Sequence, residues 1–307
     1  MSTPTFVTVA GRRTRVRIEG DPARPPVVLL HGIGRSLEDW GPQFPRLRDT
    51  HRVIALDLPG SGFSARSRQP TTLEVLAGGV LETLDAVGEQ RPVHAIGNSL
   101  GGAVAMQLVV SAPDRVASLG LVNSAGFGAE VALPLRLLAA PVLGGLAVRR
   151  TTRGSALMAE RLSFADPALA TSARVDHALA IAAQPDTAAV LLETVRALAT
   201  VRRVRSDWRD RLTGSVATLS CPTLVLWGDQ DRVLPPHHLE AARRLFPHAE
   251  TELFAGVGHM PQIECPDVFA SRVLAFLADT DRATSSAKPR AHPSSKRGSR
   301  RGVASPA

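Results

Sequence analysis

Cysteine is nearly absent: the 307-residue chain contains only Cys221 and Cys265. Two widely separated thiols give neither a disulfide framework nor a metal-ligand spacing, so no metal is expected. Lysine is as rare, and both lysines, Lys288 and Lys296, lie near the C-terminus. No long apolar run is uninterrupted either. The most apolar stretch, Val131 to Val148, is broken by Pro134, Arg136, Pro141, Gly144 and Gly145, whereas a membrane-spanning helix needs about 20 apolar residues. The opening MSTPTFVTVAGRRTRVRIEG lacks the basic start and continuous apolar segment of a signal peptide and reads instead as two short strands around Gly11. These absences predict a cytoplasmic protein without membrane insertion. Internal repeats are also missing, and nothing in the chain specifies an oligomeric state.

Acidic residues are absent from 282 onward, where Arg282, Lys288, Arg290, Lys296, Arg297, Arg300 and Arg301 are clustered. Subtracting these seven from the net charge of +8 leaves +1 for the preceding residues. A Ser-, Pro-, Gly- and Arg-rich segment buries too little apolar surface to fold, so 282–307 is expected to be a disordered basic tail. The positive charge therefore predicts no specific nucleic-acid partner; at most the tail is attracted weakly to polyanions.

The whole chain is 44% apolar residues, ample for one buried core. Apolar strands alternate with helical stretches from Val27 to Ala125, the pattern of an α/β protein with a mostly parallel, doubly wound sheet. Helices are expected from Thr71 to Val87 and from Leu100 to Val110, and a strand from Val116 to Asn123. Between about 127 and 213 the alternation gives way to Ala-, Leu- and Arg-rich helical spacing, and Cys221 resumes the sheet. The twelve arginines of that insertion are expected mostly on solvated helix faces with i,i+4 partners.

Chemistry-bearing residues cluster where predicted strands end. HAIGNSLGG, from His94 to Gly102, places Ser99 on a sharp strand-to-helix turn, with Gly97 and Gly101 where a side chain would collide. PPVVLLHGIG ends at Gly34, and HRVIALDLPGSGFS ends at Ser64. CPTLVLWGDQDRV carries Asp229 and Asp231, and ETELFAGVGHMP carries His259 between glycine-rich loop residues and Pro261. A serine hydroxyl is a weak nucleophile that needs a base and a group to orient the base. Leu100, which follows the serine, is the expected source of one backbone N–H for an oxyanion. His31, His94, His237, His238 and His248 read as structural. Trp40, Phe63 and Phe127 are candidates for core or pocket wall.

The serine, acid, histidine order and these five segments resemble the α/β-hydrolase superfamily over residues 5–280, specifically its small serine hydrolases with an inserted helical cap. The resemblance implies an α/β-hydrolase core at 1–126 and 214–281 and a cap at 127–213. It implies a catalytic set of Ser99, Asp231 and His259, with Asp231 at the second acidic site of Trp-Gly-x-x-Asp and Asp229 bracing the turn. It also implies an oxyanion hole from the N–H groups of Leu100 and Ile33, with Gly34 the alternative to Ile33. No cofactor is implied. The expected reaction is hydrolysis of an ester, thioester or other activated carbonyl of a mostly apolar small molecule through an acyl-enzyme. Gly-Asn-Ser-x-Gly-Gly is also similar to the meta-cleavage product hydrolases, which cleave carbon–carbon bonds, although Met260 stands where they usually carry tryptophan. Acyl transfer on the same residues, or a ligand-binding receptor on the same fold, are the remaining alternatives.

Overall fold

The computed structural model describes residues 2–149 and 151–287. β1 (Thr5–Val9) and β2 (Arg12–Glu19) are joined by Ala10 and Gly11, whose φ values of 46° and 75° make the reversal. Strands and helices then alternate through β3 (Pro26–Leu30), α1 (Phe44–Leu47), β4 (Arg52–Leu56), α2 (Leu73–Ala86), β5 (Val93–Asn98), α3 (Leu100–Ser111) and β6 (Val116–Val122). Six helices follow: α4 (Leu133–Leu138), α5 (Pro141–Arg149), α6 (Arg153–Ser163), α7 (Ser172–Ala182), α8 (Thr187–Leu198) and α9 (Ser206–Ala217). The chain returns to the sheet through β7 (Thr223–Gly228), α10 (His238–Leu245), β8 (Glu250–Phe254), α11 (Pro261–Glu264) and α12 (Pro266–Ala287).

One sheet of eight strands runs in the order β1-β2-β4-β3-β5-β6-β7-β8. β1 and β2 are antiparallel to their neighbours, and the six strands from β4 to β8 are mutually parallel. Every residue of β3, β5 and β7 is buried, as parallel strands covered on both faces must be. Alternate residues feed two cores. Val28, Leu30, Ile54, Leu56, Ala95 and Leu121 face α2 and α3 on one side. Val27, Leu29, Val53, Ile96 and Leu226 face Trp40, Phe44, Phe269 and Phe276 on the other. This is the α/β-hydrolase architecture.

Local chemistry explains the element ends. The Thr72 side chain accepts from the Val75 N–H and caps α2. α12 continues to Ala287, which corrects the expectation that the chain is unfolded from 282. Pro289 is the first helix breaker after Pro266, and Arg282 pairs with Asp279 one turn earlier. The rest of the expected tail, 288–307, lies outside the described residues. Among the described residues no single helix is long and apolar enough to cross a membrane.

Parallel strands all release their loops at the same edge, so the C-terminal ends of β3, β5, β6, β7 and β8 converge there. Ser99, Asn123, Asp231, His259 and the loop 31–34 all leave the sheet at this edge.

Candidate active site

Ser99 sits between β5 and α3 with φ 57° and ψ −117°, a conformation that costs a non-glycine residue about 1–3 kcal/mol. Surrounding bonds hold it there: the Ser99 N–H donates to the Val122 carbonyl at 3.0 Å, and the Ser99 carbonyl accepts from Ala125 and Gly102 at 3.0 and 3.1 Å. The tight turn also requires bare backbone on both sides. A Cβ on Gly97 would overlap the Gly101 carbonyl, and one on Gly101 would overlap the carbonyls of Leu30 and His31. The serine is therefore carried on a rigid corner wedged between β5 and β3. Its hydroxyl makes no hydrogen bond among the described residues.

Asp231 and His259 are brought together. The His259 Nδ1 lies 2.7 Å from Asp231 Oδ2, with both side chains buried. The other Asp231 oxygen accepts from the Val233 and Leu234 N–H groups at 2.7 and 2.9 Å. Asn123 Nδ2 donates to Asp231 Oδ2 at 2.7 Å. Three donors besides the ring thus orient the carboxylate, so Nδ1 carries the hydrogen and Nε2 keeps its lone pair. Two bonds place the ring's loop: His259 N–H donates to the Ser163 carbonyl, and Asn98 Nδ2 donates to the His259 carbonyl, both at 3.0 Å. Because Asn98 immediately precedes Ser99, the histidine loop is tied to the serine corner. Asp229 is directed elsewhere, accepting from the Gly256 N–H at 2.7 Å and bracing the turn after β8.

His31 reads as structural in the sequence, and its bonds show what it positions. Its Nε2 accepts from the Leu58 N–H at 3.0 Å, so Nδ1 bears the hydrogen and donates to the Gly32 carbonyl at 2.8 Å. In a trans peptide the N–H points opposite to the carbonyl, so the Ile33 N–H is turned away from His31. Gly32 packs against Ser99: a Cβ there would lie 3.3 Å from the serine Cβ. Leu100 opens α3, where the first N–H groups of a helix have no intrahelical partner. Ile33 and Leu100 line one small cavity together with Gly34, Ile181, Val190 and Leu191. It is only about 10 Å³, because α8 packs onto the glycine loops; Val190 lies where a Cβ on Gly60 would go. Trp40 and Phe127 are core side chains, and Phe63 stacks with Arg15 and His177; none lines this space.

A second cavity of about 270 Å³ adjoins the first through Gly34 and Ile181. Its wall is ionic. Arg35 and Asp39, from the loop after β3, meet Glu160 of α6 and Arg174 of α7. The carboxylates hold the partly buried Arg35 guanidinium well above its ordinary pKa against the cost of desolvation, and the two arginines hold Asp39 below its own. Arg35 and Asp39 are an i,i+4 pair, whereas Arg174 reaches across to another helix and to the segment after β3 rather than along its own helix face. Glu160→Gln is expected to cost about 3 kcal/mol, since removing one member of a buried pair leaves charge uncompensated. Urea unfolding reads the loss, and faster limited proteolysis within 127–213 locates it.

A family model described as alpha/beta hydrolase fold matches residues 25–266. The chain is 34% identical over 275 residues to a dihydrolipoyllysine-residue acetyltransferase component of an acetoin cleaving system from Pseudomonas putida, covering 89% of this chain and 69% of that one. Against the protein of the same description from Cupriavidus necator the identity is also 34%, over 84% of this chain and 65% of the relative. The chain thus spans about two thirds of those relatives. It is 28% identical to a 2-hydroxy-6-oxononadienedioate/2-hydroxy-6-oxononatrienedioate hydrolase from a Pseudomonas species, covering 82% of this chain and 87% of the other. Among solved structures, a bacterial membrane phospholipase A superposes with a TM-score of 0.74 at 26% identity, covering 91% and 86% of the two chains.

Proposed function

This chain belongs to the α/β-hydrolase fold family, and we propose that within it the protein is a serine hydrolase cleaving esters, thioesters or related activated carbonyls of mostly apolar small molecules. The observation that carries the reading is the buried His259–Asp231 bond of 2.7 Å, in a loop anchored to the residue before the strained Ser99. In this mechanism His259 Nε2 takes the proton as Ser99 Oγ attacks the carbonyl carbon. Asp231 keeps the imidazole in the accepting tautomer and stabilises the imidazolium. The N–H groups of Leu100 and Ile33 receive the oxyanion, each such donor being worth about 2.7–4 kcal/mol to the transition state. The imidazolium then protonates the leaving group, and the same nitrogen activates water to release the acyl group. The helices between β6 and β7 act as the cap, and α8 closes over the acyl site.

The size and lining of the site favour short apolar acyl groups, because Ile33, Leu100, Ile181, Val190 and Leu191 leave little space beneath α8. On a series of p-nitrophenyl esters, kcat/KM is expected to peak at short chains. Leu191→Ala is expected to raise hexanoate turnover relative to acetate about tenfold or more, since each methylene admitted to an apolar pocket is worth about 1–3 kcal/mol. An unaltered chain-length profile would remove α8 from the acyl site. Carbon–carbon hydrolysis is the second reading, favoured by the similarity to the 2-hydroxy-6-oxononadienedioate/2-hydroxy-6-oxononatrienedioate hydrolase. A vinylogous dienone acid assayed beside the esters separates them: cleavage of the dienone without ester turnover would replace the first reading by the second.

A further inference from the structure

At the opposite end of β5 from Ser99, three side chains converge that take no part in the proposed hydrolysis. His94 is the second residue of β5, His51 immediately precedes β4, and Asp281 reaches them from α12. His94 Nε2 lies 3.1 Å from Asp281 Oδ1, His51 Nε2 lies 3.6 Å from Asp281 Oδ2, and all the donor atoms fall within 4.8 Å of one another. Both histidines are buried, and Asp281 is partly exposed, leaving a way in from solvent. We propose that His51, His94 and Asp281 form a divalent-cation site, of the kind that takes zinc, in which one ion staples α12 to the N-terminal edge of the sheet.

The hydrogen bonds of the outer ring nitrogens lead to this. His51 Nδ1 lies 2.8 Å from the Thr50 hydroxyl, which can accept a hydrogen bond from it. His51 Nε2 is buried without a hydrogen-bond partner and faces a carboxylate oxygen of Asp281. With its hydrogen on Nδ1, the ring presents an Nε2 lone pair that, with the carboxylate, can hold one cation between them. A metal satisfies the same atoms. Zinc bonds of about 2.0–2.2 Å in a tetrahedron set neighbouring ligand atoms about 3.3 Å apart, close to the 3.1 Å between His94 Nε2 and Asp281 Oδ1. Ser118 Oγ, 2.8 Å from His94 Nδ1, supplies the matching outer contact, so each ring is oriented by a hydroxyl behind it. Water completes the fourth position on the Asp281 side.

Full-length protein stripped with a chelator and titrated with zinc chloride tests this. One equivalent is expected to bind, and the ester turnover is expected to be unchanged. Ser118→Ala is expected to weaken binding about 10–100-fold, the effect of losing an outer contact to a metal-bound histidine, and Asp281→Asn to weaken it more. No uptake by the wild type would overturn the site in favour of a bridging water. Undiminished affinity in both variants would also overturn it, as would loss of binding in Glu130→Gln with His237→Ala, which disrupts the other histidine–carboxylate cluster. If Asp281→Asn does not fold, X-ray absorption of the cobalt-loaded wild type decides, two imidazoles supporting the site and one or none overturning it.

Discussion

Replacing Ser99 by alanine is expected to lower ester kcat by about 10⁴–10⁶ while leaving the fold and KM nearly intact. The fold survives because the turn depends on backbone contacts: the bonds from Ser99 to Val122, Gly102 and Ala125 use the main chain, and the hydroxyl has no partner to lose. Alanine also tolerates φ 57° no worse than serine does, and the close approaches of Gly97 and Gly101 are unchanged. KM holds because the hydroxyl contributes to bond formation and little to ground-state binding. A fluorophosphonate probe gives a second measurement. The wild type is expected to gain one adduct on Ser99, and Ser99→Ala none. An adduct at another residue, or ester turnover within about tenfold of the wild type, would remove Ser99 as nucleophile and the acyl-enzyme with it.

The fold was readable because its information is local. PVVLL, RVIAL and TLVLWG are continuous apolar runs, which a parallel sheet covered on both faces demands, and Gly97 and Gly101 mark a turn that admits no side chain. The contacts that orient the site are not local. Asn123 lies 108 residues from Asp231, and Asn98 lies 161 residues from the histidine it holds. In the sequence Asn123 appears only as the end of an expected strand. In the structure its φ of 44° turns the amide toward Asp231. Arg174 shows the same limit. Solvated i,i+4 pairing is the general expectation for the arginines of the insertion, but positions 170 and 178 are both alanine, and the Arg174 side chain bonds Glu160 of another helix and Asp39 of the segment after β3. His94 and Asp281, 187 residues apart, form no recognisable spacing at all.

Asp231→Asn is expected to lower kcat by about 10⁴ with KM nearly unchanged, through a reversal of hydrogen-bond polarity. Asp231 Oδ1 accepts from the N–H groups of Val233 and Leu234, so an asparagine must place its carbonyl oxygen there and its amide nitrogen where Oδ2 now lies. That nitrogen would meet two groups that currently donate to it, His259 Nδ1 and Asn123 Nδ2. The histidine can escape only by moving its hydrogen to Nε2, and in that tautomer it cannot accept a proton from Ser99. The Asn123 amide loses an acceptor in a buried site, which adds about 1–3 kcal/mol of destabilisation; its Nδ2 retains the Gly258 carbonyl at 3.2 Å. Asp229→Asn is the matched control. Its carboxylate accepts from Gly256 N–H, and an asparagine carbonyl can do the same, so its kcat is expected to stay within about tenfold of the wild type. If the two variants exchanged these effects, the acid would be Asp229, and the 2.7 Å contact between His259 and Asp231 would be a resting arrangement abandoned on substrate binding.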